Sequence, residues 1–317
     1  MELKHAHQIS FDELLNENID IVIAACGYES RSSHLIQLSH FNAKKKIALL
    51  FNEENEEANH QKNQIIFKEK GFEIITVHAS SSTEIISVLN SISSNSADKS
   101  IKLIIDYSSM SKIWFGSIIK YFAYNDLEYC DLTVYFCYTP EHFVTQKIST
   151  KGFVNPEPSS FNRPLKNANK PIALVVGLGY NGKKVEFLSD FFEPKVIYYF
   201  LPSPSFDENY TNLALTSNQN ILSEIDTNQI LQYPATDIEE IDSQLTSLCL
   251  SLRLKFRIIL ISLGPKTFSL ATLLLNARYP DNEIWNMNAS DQCIDLKPAG
   301  VPIVYKAVLT SEDDKYN

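Results

Sequence analysis

Short apolar, β-branched segments alternate with longer amphipathic segments from one end of this 317-residue sequence to the other. The short segments have the length of buried strands, and the longer ones carry the apolar period of helices that pack on one face. Regular alternation of the two is typical of βαβ units around a mainly parallel sheet. The sequence therefore predicts an α/β protein.

The alternation runs through the chain twice, which predicts two tandem Rossmann-like repeats with mainly parallel sheets. The first repeat has predicted strands at 19–25, 46–51, 73–77, 101–105 and 132–138, and predicted helices at 31–41, 56–70, 82–92 and 112–124. The second has predicted strands at 172–177, 195–201, 230–233, 256–262 and a terminal group near 283–287 and 301–309, and predicted helices at 183–192, 207–224, 238–252 and 267–278.

The chain length suits two domains of about 150 residues each. Between the repeats, residues 151–170 are rich in Pro, Asn, Ser and Lys and lack an apolar period, as is typical of a linker. We therefore expect a first Rossmann-like domain at 1–150, a linker at 151–170 and a second Rossmann-like domain at 171–317.

The loops of the two repeats also correspond. After the first strand, ACGYESRSSHLIQL at 25–38 aligns with GLGYNGKKVEFL at 177–188, which pairs Gly27-Tyr28 with Gly179-Tyr180. After the fourth strand, residues 104–122 align in position with 260–278. A duplicated unit reuses its loops, so the correspondence indicates duplication. The alternative is chance likeness between two generic βα units.

In the commonest order of an open α/β sheet, the first strand lies beside the fourth, and ligands bind beyond the carboxyl ends of this pair. Gly and Ser let backbone N–H groups approach a phosphate there, and the next helix offers its positive N-terminal end. Lysines add full positive charges. The ligand-binding candidates are Gly27, Tyr28, Ser30, Ser108, Ser109, Ser111 and Lys112 in the first repeat, and Gly179, Tyr180, Asn181, Lys183, Gly264, Lys266 and Thr267 in the second.

Each candidate also has a structural explanation. The serines at 108–111 could be helix N-caps, and Asp106 could cap the turn after its strand. Arg31 could be a solvated charge on a helix face. Tyr28 and Tyr180 could stack on a base or could pack over the top of the sheet.

A catalytic role for the first repeat would depend on Asp106 and Glu29 as general acid or base, with Arg31 stabilising phosphate charge. Asp207 is a further candidate acid in the second repeat. No nucleophile elbow or P-loop specifies a reaction, so the sequence leaves open whether the protein is an enzyme.

The sequence GLGYNG at 177–182 fits the G-x-G-x-x-G pattern of dinucleotide-binding loops. The acidic residue expected after the next strand is missing, because the chain there reads FLPSPSF. In the first repeat the same place holds Asn52-Glu53-Glu54-Asn55, where Rossmann-like proteins often contact a ribose. We therefore expect no NAD-type cofactor, and we expect the two repeats to treat a ligand differently.

Composition excludes several classes of protein. The net charge of −10 disfavours a duplex nucleic acid partner, although a local pocket can still attract a small anion. The apolar runs are strand-sized, so no signal peptide or membrane span is expected. Five cysteines without a CxxC pair, and histidines without ligand spacing, predict reduced cytosolic thiols and no metal site.

The loop Ser108-Ser109-Met110-Ser111-Lys112 resembles the T-G-G-T-K loop of CARF domains, the CRISPR-associated Rossmann-fold sensors of cyclic oligonucleotides. In the second repeat, Gly264-Pro265-Lys266-Thr267 retains a Gly and a Lys in altered order. CARF domains pair so that two crevices face one ligand, and the related SAVED domains are tandem fusions. The chain departs from the family in lacking the loop glycines, and we expect no appended effector segment.

Three hypotheses follow. The resemblance implies a receptor for a cyclic oligonucleotide or dinucleotide, held in a cleft between the two repeats, with a role in bacterial antiviral defence. The second hypothesis is an enzyme that cleaves or transfers a nucleotide or sugar-phosphate at the first-repeat site. The third is a non-catalytic subunit of a defence complex, whose effector is another protein chain.

Overall fold

A computed structural model of the chain describes residues 1–52, 58–93, 100–125, 131–144, 155–163, 169–287 and 295–311. The chain divides into two compact units. The first comprises Met1–His142 and Ile294–Asn317, and the second comprises Phe143–Cys293. Each unit has its own mainly parallel sheet with helices between the strands. The predicted class, two tandem Rossmann-like α/β domains, is confirmed.

The first unit contains thirteen described helices and strands. In chain order they are β1 (Glu2–Ile9), α1 (Phe11–Leu15), β2 (Ile21–Cys26), a 3-10 helix (Ser30–Ser33), α2 (His34–Leu38), β3 (Lys45–Phe51), α3 (Ala58–Glu69), β4 (Glu73–Val77), α4 (Ser82–Ser93), β5 (Ser100–Asp106), α5 (Lys112–Tyr124), β6 (Asp131–Tyr138) and, after the second unit, β13 (Ile303–Thr310). The strand order among these residues is β1-β13-β6-β5-β2-β3-β4.

Strand β2 is the centre of the first sheet. All six of its residues are buried, as expected for a strand whose two faces are both covered by helices. It pairs in parallel with β3 on one side and with β5 on the other. Because the helices wind in opposite directions from this pair, the boundary between β2 and β5 is the switch point of the sheet.

The second unit begins with β7 (Glu157–Pro158). It continues with β8 (Ile172–Gly177), α6 (Gly182–Phe192), β9 (Val196–Pro202), α7 (Glu208–Ser217), α8 (Gln219–Glu224), a 3-10 helix (Thr227–Gln229), β10 (Ile230–Tyr233), α9 (Ile238–Leu252), β11 (Arg257–Ser262), α10 (Lys266–Arg278) and β12 (Asn282–Asn286). The described strands are ordered β10-β9-β8-β11-β12-β7. Here β8 and β11 form the switch point.

The expected domain boundaries differ from the observed units at two places. Residues 301–309 were assigned to the second domain, but β13 pairs antiparallel with β6 and β1 in the first sheet. Strand β6 offers an open edge, and pairing with it buries Val304, Tyr305 and Ala307. Strand β1 was not predicted, because ELKHAHQI has few apolar residues and forms the edge of the sheet.

The predicted linker also contributes to the second unit. Strand β7 pairs with β12, and Ser159 and Phe161 are buried. Asn162 Nδ2 donates to Ile284 O at 2.8 Å, and Ile284 N donates to Asn162 Oδ1 at 2.8 Å. Residues 151–154 and 164–168 of this stretch lie outside the described part of the chain. The described part of residues 151–170 therefore includes an edge strand of the second sheet and is not only a linker between the units.

Candidate functional site

Both switch points lie next to the loops that the sequence singled out. In the first unit, Ala24 of β2 is opposite Asp106 of β5, and in the second, Gly177 of β8 is opposite Ser262 of β11. Parallel strands end on the same side of a sheet, so within each unit the two loops after these strands are neighbours. We call this side, beyond the carboxyl ends of the parallel strands, the edge of the unit. Lys112 is the first residue of α5, and Lys266 is the first residue of α10. The two lysines occupy equivalent positions.

The most polar part of the first-unit edge is a group of four side chains around Arg31. The Arg31 guanidinium donates to Glu29 Oε2 at 2.7 Å, to Tyr138 Oη at 3.2 Å and to Glu141. Tyr138 Oη donates to Glu141 Oε2 at 2.6 Å. We call these four residues, Glu29, Arg31, Tyr138 and Glu141, the arginine cluster. Sequence reasoning missed Tyr138, the last residue of β6, and Glu141, which follows that strand, because neither belongs to a motif.

The arginine cluster is negative overall, because two carboxylates face one guanidinium. The Arg31 side chain is only 2% exposed, whereas Glu29 and Glu141 are 13% and 23% exposed. Burial opposes the charge on Arg31, but the acidic groups of Glu29, Tyr138 and Glu141 raise its pKa well above the ordinary value. The idea that Arg31 is a solvated surface charge is wrong. The cation is held by this chain's own acids.

The serines of the first-unit loops donate to partners within the unit. Ser109 Oγ donates to Glu29 Oε2 at 2.7 Å, which joins the loop after β5 to the loop after β2. Ser111 is the N-cap of α5, accepts from Trp114 N at 3.2 Å and donates to Ala79 O at 2.9 Å. The N-cap explanation is therefore confirmed for Ser111. Ser30 Oγ donates to Asp295 Oδ2.

Asp106 is buried at the end of β5, with 2% of its surface exposed. Its Oδ1 accepts from Ser108 N at 3.1 Å and from Ser108 Oγ at 2.5 Å. Ser108 Oγ in turn accepts from Thr139 N at 2.8 Å. Asp106 thus caps the turn after its strand, as the structural explanation for it proposed. Asp207, the other candidate acid, is the N-cap of α7 in the second unit.

An asparagine that sequence reasoning did not select supports the first loop in both units. Asn63 Nδ2 donates to Gly27 O at 2.9 Å, and Asn218 Nδ2 donates to Gly179 O at 2.8 Å. Both asparagines are buried, and each comes from the helical segment between the second and third parallel strands of its unit. The aligned glycines Gly27 and Gly179 thus have the same partner, as duplication predicts.

We expect Asn63→Ala to lower the free energy of unfolding of the first unit by about 2–3 kcal/mol. The substitution leaves Gly27 O without its donor, and it also removes bonds to Glu29 O and Ser33 Oγ. Chemical denaturation followed by Trp114 fluorescence measures the change. Asn16→Ala is the control, because Asn16 donates to Asp12 O on an exposed surface and should cost less than about 1 kcal/mol. Equal effects of the two substitutions would contradict this assignment.

Glycines in the second unit allow close packing between segments. A Cβ added to Gly179 would lie 2.2 Å from Leu263 O, and one added to Gly264 would lie 2.3 Å from Leu178 O. At Gly182 the added Cβ would lie 2.0 Å from Ser217 O, and at Gly177 it would lie 2.4 Å from the Phe268 ring. The three glycines of GLGYNG are therefore explained by packing. No dinucleotide is needed to account for the pattern.

The two loops at the switch point of the second unit are basic. The loops at 177–184 and 262–267 contain Lys183, Lys184 and Lys266 and neither Asp nor Glu. Helix α6 begins in the first loop, where Asn181 is the N-cap and accepts from Lys184 N, and α10 begins in the second loop. Both helix N-termini thus follow adjacent strands. Thr267, the second residue of α10, is fully buried.

The two tyrosines after the turn glycines are both partly exposed. Tyr180 packs edge-on against Tyr210 of α7, with ring centroids 5.7 Å apart. This contact supports the packing role of Tyr180 and leaves base stacking by Tyr28 a prediction. Of the ribose-contact candidates, Asn52 is exposed, and residues 53–55 lie outside the described part.

Cys26, Cys137 and Cys249 are buried free thiols. Burial raises the pKa of Cys26 and of Cys249 to about 12, so these thiols are unreactive at neutral pH. Cys130 and Cys293 lie outside the described residues. Within the residues described, no group of three or more His, Cys, Asp or Glu side chains could hold a metal ion. No helix in that part of the chain has the length and apolar character needed to cross a bilayer.

Comparison of the chain with protein-family models, with curated proteins and with solved structures finds no match.

Proposed function

We propose that the protein binds a phosphate-bearing nucleotide and that the edge of the second unit holds the phosphate. The observation that carries the proposal is the positive charge of the two loops at the switch point of that unit. Two helix N-termini and three lysines follow a pair of adjacent strands, and their loops contain no carboxylate. Backbone N–H groups at helix N-termini bind anions, and lysines add to this field.

The position of Lys266 adds to the argument. A lysine in the first turn of a helix opposes the helix dipole, at a cost of about 0.3–1 kcal/mol. The same arrangement occurs at Lys112 in the first unit. A helix N-terminus and a lysine both attract an anion, so a lysine at both equivalent positions supports an anionic ligand. The CARF-like loop makes cyclic oligonucleotides and dinucleotides the first ligands to test, with a receptor in antiviral defence and an effector on another chain as the biological setting.

Isothermal titration with cyclic oligonucleotides, cyclic dinucleotides, ADP and NAD tests the proposal. We expect Lys266→Ala to weaken binding of the nucleotide at least about tenfold, because one full charge leaves the phosphate site. Binding should also weaken as salt is raised. Lys255→Ala is the matched control, because Lys255 is exposed just before β11, at the opposite end of that strand, and should bind as the wild type does.

Lys112→Ala shows whether the first unit contributes to the same affinity. Absence of heat with every phosphate ligand would overturn the proposal. So would equal weakening by Lys255→Ala and Lys266→Ala, because the lysine effect would then be non-specific.

A catalytic function has one observation in its favour, the arginine cluster. Glu29 and Glu141 are two partly exposed carboxylates on one guanidinium, and either can supply a general base for cleavage of a nucleotide or sugar-phosphate. Mass spectrometry of candidate nucleotides incubated with the protein distinguishes this function from binding. A product that the wild type forms and Glu141→Gln does not form would support an enzyme. A ligand that stays unchanged would support a receptor.

A further inference from the structure

The chain returns to the first unit through a segment that lies across the edge of its sheet. We call Asp295–Gly300, which precedes β13, the strap. Its backbone contacts the loops after β2 and β6. Arg31 N donates to Leu296 O at 3.1 Å, His142 N donates to Lys297 O at 3.0 Å, and Ala299 N donates to Pro140 O at 2.8 Å. Glu141 also forms a β-bridge with Pro298.

The first residue of the strap places a carboxylate on the loop after β2. Ser30 N donates to Asp295 Oδ1 at 2.6 Å, and Ser30 Oγ donates to Asp295 Oδ2 at 2.8 Å. Both oxygens of the carboxylate are therefore bound by one loop residue. Ser30 is one of the residues whose type and position predict a phosphate contact.

A carboxylate and a phosphate use the same donors. Both are anions that accept short hydrogen bonds from backbone N–H and hydroxyl groups, and successive N–H groups of a loop form an anion-binding concavity. In the first unit, the N–H of Ser30 faces Asp295 and the N–H of Arg31 faces Leu296 O, and these are the first two N–H groups of the 3-10 helix Ser30–Ser33 that follows β2. The strap thus occupies two consecutive N–H groups and one hydroxyl.

We propose that Asp295 is an internal substitute for an anionic ligand, and that the first unit binds phosphate only when the strap leaves the edge. The inference rests on the proposed function in one respect, that the ligand bears phosphate. It also explains why the two edges differ. The second unit presents lysines without a competing carboxylate in its two loops, whereas the donors of Ser30 in the first unit are occupied by the chain itself.

Pyrophosphate binding in a Lys266→Ala background tests the strap, because that background weakens the second-unit site. We expect Lys266→Ala alone to bind pyrophosphate poorly, and Lys266→Ala with Asp295→Ala to bind it at least about tenfold more tightly. Hydrogen exchange of the peptide spanning residues 27–36 should quicken in the double variant and slow again when pyrophosphate is added.

Lys297→Ala is the matched control. Lys297 is an exposed strap residue whose carbonyl, and not its side chain, makes the contact with His142, so its substitution should produce no gain in binding. If Asp295→Ala fails to fold, Asp295→Asn keeps the size of the side chain and removes the charge, and the same gain is expected. A folded Asp295 variant with faster exchange and no gain in binding would overturn the inference.

Failure of the proposed function gives a different pattern. In that case neither the wild type nor Lys266→Ala binds pyrophosphate. A gain in pyrophosphate binding on removal of the Asp295 side chain would still support the role proposed for Asp295. If the wild type binds and loses binding with Lys266→Ala, but the Asp295 variants gain nothing, the proposed function stands and the strap is only structural.

Discussion

Gly179→Ala is expected to unfold the second unit, whereas Gly27→Ala should leave the first unit folded. The two glycines are aligned in the sequence, follow the first parallel strand of their units and receive the same asparagine hydrogen bond. They differ in what an added methyl group meets. At Gly179 the new Cβ would lie 2.2 Å from the backbone oxygen of Leu263, while at Gly27 the nearest atom is 3.4 Å away, in the Phe51 ring.

The expected loss in the free energy of unfolding at Gly179 exceeds about 3 kcal/mol, which is more than overpacking usually costs. Backbone atoms of both loops would have to move, and the reciprocal approach of Gly264 to Leu178 O leaves them no room. At Gly27 the contact has ordinary van der Waals length. We therefore expect Gly27→Ala to change the free energy of unfolding of the first unit by no more than about 1 kcal/mol.

Each unit has its own tryptophan, Trp114 in the first and Trp285 in the second. Urea denaturation followed by fluorescence in Trp114→Phe and Trp285→Phe backgrounds therefore reports the units separately. We expect Gly179→Ala to lower the urea concentration at which Trp285 reports unfolding. We expect Gly27→Ala to leave the transition reported by Trp114 unchanged. Normal stability of Gly179→Ala would show that the two loops are not packed backbone to backbone.

Arg31→Met is expected to destabilise the first unit by about 3–5 kcal/mol, because it leaves two partly buried carboxylates without their cation. Methionine retains most of the apolar stem, so the loss reports charge and hydrogen bonding rather than volume. Arg253→Met is the matched control. The ion pair of Arg253 with Asp281 has side chains 34% and 27% exposed, and solvent screening limits its value to about 1 kcal/mol.

Neutralising the acids should restore part of the stability lost in Arg31→Met. In the triple variant Arg31→Met, Glu29→Gln, Glu141→Gln, the two amides replace the carboxylates that have lost Arg31. Comparison with Glu29→Gln, Glu141→Gln alone completes a mutant cycle that separates pairing from packing. Denaturation followed by Trp114 fluorescence measures the Arg31 variants, and Trp285 fluorescence measures Arg253→Met, because Arg253 lies in the second unit. Equal losses for Arg31→Met and Arg253→Met, or no recovery in the triple variant, would contradict the role assigned to the arginine cluster.

The parallel strands and the switch points could be predicted from the sequence. Segments such as IVIAAC of β2 are continuous apolar runs, and a strand buried on both faces needs such a run. The positions of Lys112 and Lys266 follow from the same pattern, since each begins the helix after the fourth parallel strand.

Side-chain partners far apart in sequence could not be predicted. Arg31 could be recognised as a charge near the switch point, but its partners Tyr138 and Glu141 are 107 and 110 residues away. Asp295 is 265 residues from Ser30. No local period records such pairs, because they depend on which strand edge the chain returns to. The return of β13 to β6 was missed for the same reason.

The sequence by itself determined that this protein has two α/β repeats, with glycine, serine and lysine concentrated in the loops at equivalent sheet edges. Those features are local, since strand length, helical period and turn chemistry act over a few residues. The tertiary structure alone decided that the first edge is bound by its own acids and strap, while the second packs its glycines tightly and presents lysines. That difference depends on long-range packing, which brings Glu141 and Asp295 to one loop and Leu263 to the other.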